Sequence, residues 1–252
     1  MNSGRDLTVV NGSAAAFDER FVVGFIDADR SEARLPLTVA VDVAFERVPP
    51  ARSIPSYKGQ RNNPGWYYSC TVGAHVEYES WLERDEAVAL DFDAQVIGYA
   101  AQPFWLFWSE GLRPRSHAPD FFARLDNGDG VVIDCRPAHR IMPRDRAAFD
   151  ATERACAEVG WSYRLVSDHD PIWLANVRWL AAYRHPRFRV DTVALALLDV
   201  FTEPEPLISG ARKVGDHVAV LPVLYHLLWR RELAVDLAVR LEGSSLVSRR
   251  SR

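Results

Sequence analysis

Two aspartates, an arginine and two glutamates are spaced so that they could act together on one phosphate. Asp120 lies in His117-Ala118-Pro119-Asp120-Phe121-Phe122. Asp134 and Arg136 close the run Val131-Val132-Ile133-Asp134-Cys135-Arg136, after the turn Asp126-Asn127-Gly128-Asp129-Gly130. Apolar runs on either side of a Gly/Asn/Asp cluster predict a β-hairpin with strands over 120–125 and 131–136. Side chains alternate faces along a strand, so Asp120 shares a face with Phe122 and Arg124, and Asp134 shares one with Arg136. Pairing Leu125 with Val131 sets Asp120 opposite Arg136 and diagonal to Asp134, at Cβ separations of roughly 5 to 8 Å. Two carboxylates so placed can share a hard divalent cation. Mg²⁺ is held by one or two carboxylates together with waters and phosphate oxygens, and Mn²⁺ can stand in for it. The chemistry such a set would do is hydrolysis of a phosphodiester by a metal-activated water. The plainer alternative makes Asp120 the start of a strand after proline and Asp134 a solvated edge residue. Against it, Asp134 follows three apolar β-formers, a costly place for a carboxylate that is neither paired nor metal-bound.

Arg136 stands where a lysine would be expected in such a site. Only Lys58 and Lys213 are lysines in the whole chain, a bias toward arginine that is cheap on the surface and consequential at a reaction centre. Arginine is effectively always protonated, so it can steady a phosphate but cannot act as a general base.

The elements that must position these groups can be read from periodicity. Residues 76–90 follow a helical pattern through Trp81, Leu82, Ala87 and Leu90. Glu79 and Glu83, four residues apart, then share a helix face and either would bring a further carboxylate to the hairpin; the alternative is a solvated face beside Arg84. Residues 101–108 read as a strand buried on both faces, followed by a polar loop into the hairpin. A basic connection with His139, Arg140, Arg144 and Arg146 leads to a helix over 145–159, ended by Gly160, and a strand over 161–166. Helix, strands, helix and strand make a small mixed α/β core. Upstream, residues 21–26 and 35–43 carry β signals, and 49–68 reads as an ordered loop with exposed aromatics. Downstream, helices over 173–183, 190–201 and 218–229 precede short strands near 233–237 and 246–247. Helices followed by a small hairpin suggest a winged-helix-like unit, and the basic, aromatic stretch 183–189 reads as a domain boundary. The expected organisation is an N-terminal β-rich extension (1–75), an α/β core (76–168) and a mostly helical interaction domain (169–252).

Composition narrows the classes. The chain has 252 residues, 48% of them hydrophobic, enough for real cores. A net charge of −4 and a pI near 6.0 exclude a protein that coats nucleic acid by charge alone. Three cysteines, Cys70, Cys135 and Cys156, without CxxC spacing fit a reducing compartment, and no signal-peptide pattern or bilayer-length apolar run occurs; the expectation is a cytoplasmic protein without a membrane partner. Alternation turns Cys135 away from Asp134 and Arg136, against a Cys135/His139 enzyme. His75, His139 and His185 give no zinc spacing with the cysteines; His117, before Ala118-Pro119, could contact phosphate or position the Asp120 strand, though such a histidine is more often structural or solvent-facing.

Taken in order, Tyr78-Glu79-Ser80-Trp81-Leu82-Glu83, Leu90-Asp91-Phe92-Asp93, Gln102-Pro103, His117-Ala118-Pro119-Asp120-Phe121, Ile133-Asp134-Cys135-Arg136-Pro137 and Gly160-Trp161 resemble the TnsA-like heteromeric transposase endonuclease subunits, in their actinobacterial form. The resemblance covers 76–166, with looser likeness at 57–66 and in the C-terminal region. It implies a restriction-endonuclease-like core of the PD-(D/E)xK superfamily that cleaves the 5′ ends of a transposon. An integrase-type (TnsB-like) transposase would cut and join the 3′ ends, and an AAA+ (TnsC-like) ATPase would contact the C-terminal region. Carried over by position, Asp120 corresponds to the central metal-binding aspartate, Asp134 to the second acidic or amide position and Arg136 to the lysine. Glu83, or in second place Glu79, matches the helical glutamate. The implied metal set is Asp120, Asp134 and Glu83 around Mg²⁺, with transposon-end DNA as substrate. Two other classes stay open: a nuclease-fold adaptor between transposase and ATPase that has lost cleavage, and a DNA-binding regulator acting through its C-terminal domain.

Overall fold

A computed structural model describes residues 21–27, 29–52 and 63–250. Contacts divide the chain into two compact units, Met1–Leu90 with Gln95–Asp168, and Asp91–Ala94 with His169–Arg252. The first contains β1 (Val22–Ile26), β2 (Glu32–Pro36), β3 (Gly65–Ser69), β4 (Ala74–Tyr78), α1 (Trp81–Phe92, its last two residues counted with the second unit), β5 (Val96–Ala101), β6 (Trp105–Glu110), β7 (Arg113–His117), β8 (Phe121–Leu125), β9 (Gly130–Cys135), α2 (Pro143–Glu158) and β10 (Ser162–Val166). The class is mixed α/β.

Two four-stranded sheets, ordered β2-β1-β6-β7 and β10-β9-β8-β5, carry this unit, and β3 pairs with β4 as a separate hairpin. Strands β5, β8 and β9 run antiparallel in turn, and α2 crosses over so that β10 lies parallel to β9. A buried cluster joins Val23, Phe25 and Leu106 of the first sheet to Phe122 and Val132 of the second, and to Ala155 and Cys156 of α2. Phe45 sits at its centre, edge-on to Phe25, Phe104, Phe122 and Trp161. Burying aromatic rings against one another is the main apolar gain here. Gly130 opens β9 because a Cβ there would come within 2.8 Å of Trp161 and 2.9 Å of Phe122.

Several local readings change. Of the strand expected over 101–108, residues 105–108 open β6, while Ala101 ends β5 in a different sheet. The break falls at Gln102-Pro103, where Gln102 has a left-handed φ of 47°, held by its N–H on the Asp120 carbonyl (2.9 Å) and its carbonyl on the Ala51 N–H (2.8 Å). The polar loop after it contains β7, paired with β6. The helix expected from 76 starts at Trp81, because 76–78 belong to β4 and Ser80-x-x-Glu83 supplies the start signal. Residues 35–43 form only the end of β2 and a short 3₁₀ turn, Ala40–Asp42. Half of the loop read over 49–68, residues 53–62, lies outside the described residues, and residues 65–68 belong to β3.

The second unit holds α3 (Pro171–Ala181), α4 (Asp191–Val200), β11 (Glu205–Pro206), α5 (Leu207–Val214), α6 (His217–Trp229), β12 (Leu233–Val235) and β13 (Leu246–Arg249). The three short strands form one sheet ordered β11-β13-β12. The stretch 183–189 is no boundary: Tyr183 packs on Phe188 and Tyr225, and its carbonyl bonds His226 Nδ1 (2.8 Å), all inside this unit.

Candidate metal centre

The hairpin that carries Asp120 and Asp134 closes more tightly than expected. Leu125 N–H donates to the Asp129 carbonyl (2.9 Å) and Gly128 N–H to the Leu125 carbonyl (2.9 Å). Gly128 takes φ +90°, and the Asn127 side chain accepts from Asp129 N–H at 3.0 Å. The ladder therefore pairs Arg124 with Gly130 and Phe121 with Ile133. Continued by one residue, this register sets Asp120 opposite Asp134, so the expected pairing of Asp120 with Arg136 is overturned by a slip of two. A slip of two keeps every side chain on its face.

Glu79, Glu83, Asp120, Asp134 and Arg136 all line one cavity of about 700 Å³. Their roles there differ. Glu83 starts α1: its Oε1 accepts from Ser80 Oγ (2.7 Å) and its Oε2 from Glu79 N–H (2.7 Å), while Glu83 N–H donates to Ser80 Oγ (3.3 Å). Glu79 precedes the helix rather than sharing a face of it with Glu83. Its Oε1 meets Arg52 at 2.8 Å and Gln102 Nε2 at 3.1 Å. Arg84, expected beside the glutamates, bonds Asp85 (2.8 Å) and covers the Trp81 ring.

Asp134 is almost fully enclosed, at 2% exposure. His117 Nε2 lies 2.9 and 3.0 Å from its two oxygens, and Tyr163 Oη donates to Oδ2 at 2.8 Å. The His117 ring rests edge-on against Phe149 of α2. A carboxylate has about four acceptor positions, of which these two donors engage about half. Burial, followed by the charge of Asp134, raises the Tyr163 hydroxyl far above its ordinary range, which keeps it a donor.

Asp120 is the contrasting case. Its Oδ2 accepts from Cys135 N–H at 2.7 Å, and no described residue donates to Oδ1. Burial, then the charges of Glu83 and Asp134, push its carboxyl well above the usual range, against the opposing pull of Cys135 N–H and Arg52. Burial is also the leading cause that raises Glu83; the Glu79 N–H and Ser80 hydroxyl oppose it, and Glu79 adds to it. The ionised cavity is thus short of positive charge. Arg136 does not supply it: its guanidinium meets Asp145 at 3.2 Å, and its Nε has no partner among the described residues. Asp145 in turn accepts from Met142 N–H at the start of α2. Burial pushes the Asp145 carboxyl up, but that N–H and Arg136 outweigh it and hold it low.

Among the described residues, no three His, Cys, Asp or Glu side chains make a ready metal cage. Mg²⁺ does not require one, since one or two carboxylates with waters and substrate oxygens suffice. Asp120 fits that requirement best, through its open Oδ1; Glu83 and Asp134 each already accept from two donors and keep their remaining positions for it. Burial and then Asp120 push the Cys135 thiol well up, which disfavours its thiolate. Sequence reasoning missed Arg52 and Tyr163. Arg52 sits in an aperiodic Pro-rich segment that gives no signal, and Tyr163 has the pattern of an ordinary strand residue. Of the readings open for His117, the structure gives a place beside the acids, bonded to Asp134 rather than facing solvent.

The chain matches no family model and no curated protein sequence.

Proposed function

We propose that this chain is the metal-dependent endonuclease subunit of a heteromeric transposase, built on a restriction-endonuclease-like core and cutting the 5′ ends of a transposon. The observation that carries the reading is the Asp120 carboxylate, partly buried beside Glu83 and Asp134 in the lining of a cavity roomy enough for a phosphodiester. The succession α1, β5-β8-β9, α2, β10 and the sequence resemblance over 76–166 support the same reading.

Asp120 and Glu83 would hold Mg²⁺, or Mn²⁺ in its place. When bound, the ion supplies an acidified water and screens charge on the phosphate oxygens. Asp134, fixed by His117 and Tyr163, gives the floor of the cavity a constant shape. Arg52 tempers the charge of Asp120 and Glu83. Arg136 and Arg140, which also line the cavity, are suited to hold a phosphate through fork-shaped contacts. An enzyme with arginine at the lysine position cleaves slowly or only with its partners, since no side-chain amine is present to move a proton.

The second unit runs two helices, a short strand, two helices and a hairpin, an order that supports the winged-helix-like reading. Its last helix, α6, contains neither lysine nor arginine, which suits a protein partner such as an AAA+ ATPase better than a DNA groove. No helix among the described residues is long and apolar enough to cross a membrane; a cytoplasmic site of action follows from the transposition reading alone.

One observation favours a second reading, a nuclease-fold adaptor that no longer cuts: Arg136 is tied to Asp145 rather than to the acids. Cleavage of duplex DNA carrying transposon ends, in Mg²⁺ or Mn²⁺ and with or without an integrase-type transposase, decides between them. Metal-dependent 5′-end cuts lost in Asp120→Ala support the nuclease. Metal binding without cuts under any of these conditions supports the adaptor.

A further inference from the structure

The second unit contains a separate pocket of about 210 Å³ with apolar walls from Phe92, Trp173, Leu228 and β12, and with two arginines, Arg231 and Arg250, at it. Arg231 occupies a position that ordinarily goes to glycine. It closes the end of α6, where Glu232 N–H bonds the Leu227 carbonyl (2.9 Å) and Arg231 N–H the Leu228 carbonyl (3.1 Å). That termination requires a left-handed residue, and Arg231 takes φ +54°. A long side chain in that conformation is disfavoured, and an outlier of this kind is a pointer to function.

The side chain itself is poorly matched by its own protein. Its guanidinium lies over the Phe92 ring, 4.5 Å from the centroid, and its Nε is buried with no hydrogen-bond partner among the described residues. Burial lowers its pKa; Asp93 opposes that and Arg250 adds to it. A desolvated cation without a bound carboxylate favours an anionic ligand. Beside it, β12 is an edge strand of its sheet, and its three residues, Leu233, Ala234 and Val235, line the pocket in succession. An edge strand offers main-chain groups to an added strand.

We propose that this pocket captures the C-terminus of a partner polypeptide. The terminal apolar side chain enters between Phe92, Trp173 and Leu228, the terminal carboxylate meets Arg231 and Arg250, and the preceding residues run along β12. The pocket is built wholly from residues of the second unit, and the proposal is independent of the nuclease reading.

The test is a titration of the full chain with acetyl tetrapeptides ending in leucine, valine or phenylalanine, as free acids and as C-terminal amides. It is followed through the Trp173 indole N–H resonance, assigned with Trp173→Phe. The expected result is saturable binding of at least one free acid, with its amide weaker by roughly tenfold or more, as for loss of a charge-assisted contact. Arg231→Gly should lose the preference for the free acid while melting no lower than wild type, because glycine suits the left-handed position. Equal binding of acid and amide, no binding by any of the three sequences, or binding of N-acetyl amino acids as tight as that of the tetrapeptides would overturn the proposal.

Discussion

Replacing Asp120 by asparagine is expected to stabilise the metal-free protein at neutral pH, an unusual result for a residue in a buried network. Asparagine Oδ1 can take the Cys135 N–H bond that Asp120 Oδ2 now accepts at 2.7 Å, so the substitution removes charge and keeps the contact. Burial, Glu83 and Asp134 raise the Asp120 carboxyl. Its favourable contribution is therefore complete only below the ordinary aspartate range, where it is protonated, and is lost as pH rises through the raised folded value. Asparagine does not titrate, so the gap between variant and wild type should open with pH. Like charge beside a partly buried carboxylate costs on the order of 1 kcal/mol, and each kcal/mol moves the melting temperature of a chain this size by about 2–4 °C. Melts in chelator at about pH 3.5 and about pH 7.5 should thus nearly coincide at the lower pH and separate by a few degrees at the higher. Mg²⁺ should reverse the order, because wild type gains about 2.7 kcal/mol at a hundredfold excess over Kd and the variant gains little. An asparagine variant less stable than wild type in chelator at neutral pH, or equal Mg²⁺ stabilisation of both, would refute the reasoning.

Asp134 should behave in the opposite way. His117→Ala strips a charge-assisted contact from a carboxylate at 2% exposure, with an expected loss of about 2–3 kcal/mol in urea unfolding; Tyr163→Phe should cost about 1–2 kcal/mol by the same measure. Cys156, pushed up to about 12 by burial and then Asp134, and Cys135, raised well up by burial and then Asp120, should resist iodoacetamide in the native protein at mildly alkaline pH and react once it is unfolded, as mass spectrometry of the alkylated peptides would show. Arg136→Ala should slow metal-dependent cleavage roughly 10- to 100-fold if the guanidinium holds the phosphate, whereas Arg136→Lys should cleave at least as fast as wild type; gel assays on end-labelled duplexes give both rates.

The face on which Asp120 and Asp134 lie was legible because alternation has a period of two and survives a slip of two residues. The register was not, since Asp126-Asn127-Gly128-Asp129-Gly130 can close as a five-residue loop or through the tighter Leu125–Asp129 bond, and composition does not choose between them. Glu83 was legible as an acid near the site, yet Ser80-x-x-Glu83 also spells a helix start, and that role moved Glu79 off the helix. The split of 101–108 into two strands was signalled by Pro103, but its left-handed Gln102 depends on contacts with Asp120 and Ala51 that are distant in sequence. Arg52 was illegible for the same reason: a long-range electrostatic partner leaves no periodic trace. Arg136 keeps its importance, with a changed meaning, because it is held by Asp145 at the start of α2.

The central claim, a divalent cation on Asp120 and Glu83, is tested most directly by an anomalous difference map from a crystal soaked in Mn²⁺. The account predicts a peak in the cavity at about 2.1–2.2 Å from Asp120 Oδ1 and from a Glu83 oxygen, the distance expected for a small oxygen-bound divalent ion, and its disappearance in Asp120→Asn. A cavity without a peak at saturating Mn²⁺, or a peak unchanged in Asp120→Asn, would contradict it.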